Sequence, residues 1–216
     1  MKNILKLIAI SAVLAAPFSV ALGAGQEAAT SNPATDKFKE DIKAAVLNGS
    51  LTVMQVKELH ENLEVLKESK SQPPGSPVDL VTPYGAVSKI RAVMATVKQP
   101  DRETLEQDFK LVVAAKRPAP SAEPETPGKK LGKDIFLAVM RGQPTVPQVE
   151  QLQQSLNSLA SLKTSGGSKL QEFKALKQAK SDIAQTMNAG TFQPEDRQTV
   201  LDDLNNLGPG GGKGRG

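Results

Sequence analysis

A chain of 216 residues with 27 Lys and Arg against 23 Asp and Glu carries a formal charge of +4, and it has no cysteine, no tryptophan, one tyrosine and six phenylalanines. The missing thiols exclude a disulfide framework, a thiolate metal site and a lipid-modified cysteine. So few rings leave little for stacking on bases or sugars, and no specific nucleic-acid binding is expected.

Met1 to about Gly23 reads as a secretory signal. Lys2 and Lys6 give a positive start, Leu7 to Ala16 an apolar core, and Pro17 precedes small residues that offer cleavage after Ala21 or Gly23. The apolar stretch from Leu7 to Leu22 is 16 residues and broken by proline, short of the roughly 20 that a membrane helix needs; an uncleaved anchor is the alternative. No later segment approaches a span, so no membrane span is expected once the signal is cleaved. Without Lys2 and Lys6 the balance is 25 basic to 23 acidic residues, and Lys213 with Arg215 supplies the excess. The body is near neutral, which weakens the argument for nucleic acid and for anionic lipid alike. A secreted or periplasmic, bacterial location suits an exported chain without disulfides.

Residues 24–35 are small and polar and read as a disordered lead-in. The stretch that follows organises the rest. Asp41-Ile42, Ala45-Val46, Gly49, Thr52-Val53, Gln55-Val56, Leu59, Leu63 and Leu66 recur without a gap, 93 positions on, as Asp134-Ile135, Ala138-Val139, Gly142, Thr145-Val146, Gln148-Val149, Leu152, Leu156 and Leu159. Ile90, Met94 and Asp101-Arg102 likewise return as Ile183, Met187 and Asp196-Arg197, with two residues inserted in the turn. Ile42 to Ile90 and Ile135 to Ile183 are both 48 apart, so the smaller unit is a helical hairpin used four times.

Within the first hairpin, at about 36–70, Val56, Leu59, Leu63 and Leu66 form one apolar stripe, expected to pack on Ile42, Ala45 and Val46 of the preceding helix. Gly49 and Gly142 are expected to close their helices in the left-handed conformation. Thr52 with Gln55, and Thr145 with Gln148, form capping boxes. Prolines at 73, 74, 77 and 83 make 71–84 an extended crossing. A second hairpin covers about 85–116, with Val97 in place of the turn glycine and an irregular turn expected at Gln99-Pro100-Asp101. Residues 117–129 read as a Pro-rich linker. A third hairpin covers about 130–163, a long helix runs from near Lys169 to Asn188, and a last helix opens at Pro194 and ends at Leu207. The Gly-rich basic tail, 208–216, lacks side chains that could build a core.

The expected fold is therefore all-α: four helical-hairpin repeats in two duplicated small bundles, 36–116 and 130–207, behind a signal peptide. Their burial is marginal at this size, and docking of the bundles or a homodimer would add to it.

Chemistry is hard to assemble. His60, the single histidine, has Gln153 as its counterpart, so the repeat does not require an imidazole there. Glu40-Asp41, Glu61 with Glu64, Glu195-Asp196 and Asp202-Asp203 fall at helix starts or on exposed faces, where acids serve the helix dipole or pair with lysines. The turn after Asn48 lacks the alternating acids of a calcium loop. No catalytic, cofactor or metal residue is assigned. What remains is apolar helical surface, which points to a protein partner, with the tail offering weak contact to an anionic polymer. Leu51-Thr52-Val53-Met54-Gln55 resembles the Leu-Thr-x-x-Gln signature of the Spy-type periplasmic chaperones. That resemblance implies a small all-helical exported protein that cradles unfolded clients.

Overall fold

The computed structural model describes residues 32–70, 78–114, 126–162, 168–189 and 191–207. The signal peptide, most of the lead-in, the centres of the two proline-rich crossings and the tail lie outside the described residues. Within them the protein is all-α: α1 Pro33–Leu47, α2 Val53–Lys70, α3 Val81–Ala95, α4 Asp101–Ala114, α5 Pro127–Arg141, α6 Val146–Ser161, α7 Lys169–Asn188 and α8 Pro194–Asn206.

Three helices start earlier than expected, each for a local reason. The Asn32 side chain accepts from Ala34 N and Pro33 opens α1, so the expected lead-in gives way to helix three residues sooner. Thr126 and Pro127 do the same for α5, whose first residues replace the end of the expected linker. In α3, Asp79 Oδ1 accepts from Val81 N and Thr82 N, and Pro83 sits in the first turn, where its missing N–H breaks no helical bond. The turn before α4 contains a cis Gln99–Pro100 peptide.

The packing differs from a string of hairpins. The helices that follow each other across the Gly turn are not the main partners: α2 packs chiefly on α3, and α1 on α4. In the same way α6 packs chiefly on α7, and α5 on α8. The stripe Val56, Leu59, Leu63 and Leu66 is buried as expected, but largely against α3. Each set of four helices thus nests an inner pair within an outer pair. Phe38 of α1 and Phe109 of α4, with ring centroids 5.6 Å apart, mark the outer pair of the first set.

The two sets share one hydrophobic core, which takes in Leu80 at the N-cap of α3, Tyr84 and Val87 of α3, and Leu131, Ile135 and Met140 of α5. Polar clamps close the junction. Arg91 donates to the carbonyl oxygens of Gly142 at 2.7 Å and Met140 at 2.9 Å, and the Tyr84 hydroxyl donates to Pro144 O. Gln153 accepts from Leu80 N and donates to Val78 O, both at 2.7 Å. A Cβ on Gly132 would stand 3.0 Å from Val78 Cγ2, so the glycine lets the two sets approach.

Candidate functional site

The first arrangement with chemical potential is a lysine held between two aspartates, and it occurs twice. Lys37 Nζ of α1 lies 2.8 Å from Asp41, one turn along, and 2.5 Å from Asp108 of α4. Lys130 Nζ of α5 lies 2.9 Å from Asp134 and 2.5 Å from Asp203 of α8. Asp108 and Asp203 are buried, with their side chains at the packing seam of the outer helices. Asp203 therefore departs from the expected exposed face, and Asp41 is half-buried.

Burial pushes the carboxyls of Asp108 and Asp203 up from the ordinary range, and the neighbouring carboxyl of Asp41 or Asp134 adds to the rise. Asp41 moves the other way, held down by its hydrogen bond with Asp108 and then by Lys37. The two lysines are raised by these same partners, Asp108 and Asp203 first. Two carboxyls from different helices held on one lysine make a helix staple. Each lysine bridges two carboxylates where the outer helices meet.

An open cleft of about 440 Å³ does lie beside the second cluster, lined by Pro127, Lys130, Thr199, Asp202, Asp203 and Asn206. Its polar groups are mostly committed. Asp202 accepts from Gln198 at 2.9 Å, and the Thr199 hydroxyl donates to Glu195 O at 2.9 Å. Of the other acids, Glu195 and Asp196 do sit in the first turn of α8, and Asp196 accepts from Arg141 at 3.0 Å. Glu61 is exposed beside Lys57. His60 is half-buried on α2, while its counterpart Gln153 is the junction clamp described above. Among the described residues no group of three or more acids or histidines could hold a metal ion, and no helix is long and apolar enough to cross a membrane.

Thr52 and Gln55, which carry the chaperone-like signature, close a capping box: Gln55 Oε1 accepts from Thr52 N at 2.8 Å, and Thr52 Oγ1 from Gln55 N at 3.3 Å. Gln55 also donates to the Thr96 hydroxyl at 2.7 Å, tying α2 to the end of α3. Both residues are thus occupied structurally.

The remaining candidates are apolar side chains left in solvent. Leu47, Val53 and Met54 flank the Gly49 turn and are 74%, 50% and 82% exposed. Leu170 and Phe173 stand on the first turns of α7 at 63% and 51%. Phe173 is exposed where Phe38, Phe109 and Phe192 are buried. The position of Leu47 is informative, because Met140, at the equivalent place in α5, is buried in the junction. No protein-family model, curated protein or solved structure matches the chain.

Proposed function

We propose that the chain is an exported, non-catalytic helical protein, built by tandem duplication of a four-helix unit, that binds another protein in the cell envelope or outside the cell. The duplication reading rests on the 93-residue recurrence together with the same nesting of helix pairs and the same Asp-Lys-Asp staple in each set. The observation that carries the binding reading is the cluster at the Gly49 turn, where three large apolar side chains that could have been polar without harm to the core are held out by a well-capped turn. Large apolar side chains left exposed at one turn mark a contact site.

Photo-crosslinking tests this. With a photoreactive residue at Met54 in cells that express the chain, a discrete adduct in the envelope or external fraction is expected, and Leu47→Asp should abolish it. A smear of unrelated adducts would favour the chaperone reading instead. If Met54 yields no adduct while the exposed Lys67, at the far end of α2 and on another face, does, the proposed surface is wrong.

A further inference from the structure

We propose that the outer face of α7 is a docking site for an anionic phospholipid bilayer, held by lysines around an apolar tip. Leu170 and Phe173 are one turn apart on one face, and Lys169, Lys174 and Lys177 are exposed around them. Residues 169–180 hold four lysines and one acid, the half-buried Glu172. Lys180, the fourth lysine, donates to Leu207 O at 3.0 Å and so secures α7 to α8. The fully buried residues of α7 begin at Ala179; ahead of it Glu172, Ala175 and Leu176 are half-buried, while Leu170 and Phe173 are exposed.

The corresponding segment of α3 shows what this face has become. Leu80, Tyr84 and Val87 are buried there, with Gln153 of α6 bonded to Leu80 N and the Tyr84 hydroxyl bonded to Pro144 O; their counterparts 93 positions on are Phe173, Lys177 and Lys180. With nothing among the described residues covering it, α7 exchanges two buried positions for lysine yet keeps a large apolar side chain at the third and adds Leu170 beside it. A face adapted to water alone has no use for the ring. A protein contact is disfavoured by the lysines, which are depleted at such interfaces, and nucleic acid by the lack of a second ring or a reader of base edges. An anionic bilayer answers both features: Leu and Phe enter the acyl boundary while flanking lysines extend to the headgroups.

The test is flotation with phosphatidylcholine vesicles, with and without phosphatidylglycerol. It uses the full chain and, beside it, the chain from Ala24, which keeps every described residue. Binding should require phosphatidylglycerol and weaken with salt. Lys174→Glu with Lys177→Glu, and separately Leu170→Ser with Phe173→Ser, should each reduce apparent affinity tenfold or more with an unchanged circular dichroism spectrum and melting midpoint. Leu47→Ser with Met54→Ser should leave it intact. Binding in the chain from Ala24 that persists in both α7 variants, that is equal without phosphatidylglycerol, or that is matched on a soluble polyanion would overturn the proposal. So would no binding at low salt. None of these results bears on the crosslink at Met54.

Discussion

The turns at Gly49 and Gly142 occupy the same place in the two sets of helices and need glycine for different reasons. Gly49 adopts φ of +72°, and a Cβ there would meet nothing within 4 Å. Gly142 has φ of −75° and ψ of −174°, so the expected left-handed cap is absent. A Cβ on it would lie 2.8 Å from Ala138 O and 3.0 Å from Thr191 O. One glycine serves conformation and the other serves close approach. The difference arises because the second turn is enclosed by α3 through Arg91 and by the chain ahead of α8, where Gln143 N donates to Thr191 O at 2.9 Å.

Substitution should separate the two. Gly142→Ala places its methyl group against backbone that cannot move aside cheaply, and about 3 kcal/mol of stability should be lost. Gly49→Ala should cost about 1 kcal/mol, the ordinary penalty of a left-handed residue. Asn tolerates that conformation, so Gly49→Asn should recover most of the loss and Gly142→Asn none. Urea unfolding of the four variants checks this, and equal costs at the two glycines would refute the distinction.

The junction supplies a second contrast. Arg91 and Gln153 clamp one set to the other, and neither residue type returns at the corresponding place, where Ala184 and His60 stand. Arg91→Met removes two hydrogen bonds from a charged donor and should cost about 2 kcal/mol; Gln153→Ala should cost about 1 kcal/mol. Both should also loosen the coupling between sets, turning one calorimetric transition into two. A single sharp transition in Arg91→Met would mean that the shared apolar core alone couples them.

These contrasts mark what could be read from the chain and what could not. The helical class and the Thr52 box follow from local pattern, since periodicity and capping act over a few residues. The early starts were also written locally, in Asn32-Pro33 and Thr126-Pro127, but the low-complexity setting hid them. The choice of packing partner was not local. The stripe on α2 defines a surface that needs cover without saying which helix provides it, and α3 wins over α1 only in three dimensions. Asp108 illustrates the same point, because its partner Lys37 is 71 residues away and nothing nearby distinguishes it from a solvent-exposed acid. The lysines of α7 were lost for the opposite reason: a near-neutral total hides a local excess once acids elsewhere cancel it.

The staples should give the smallest effect, and its sign can be worked out. Asp108 and Asp203 have raised pKa values in the folded chain, chiefly from burial. Between the ordinary carboxylate value of about 3.9 and the raised one, the unfolded chain has released the proton while the folded chain still holds it. The unfolded state then binds fewer protons, so the contribution of these two groups to stability is complete below that window and falls as pH rises through it. Asp41, whose pKa is lowered, acts in the other direction: its contribution is present above about 3.9 and is lost as pH falls through the folded value. Asp108→Asn and Asp203→Asn keep a neutral side chain at the seam at every pH. Each variant should therefore gain on the parent as pH rises across the window, measured as the difference in urea midpoint. If the parent and both variants keep parallel midpoints through the window, neither buried aspartate holds a proton there, and the two seams are simple ion pairs.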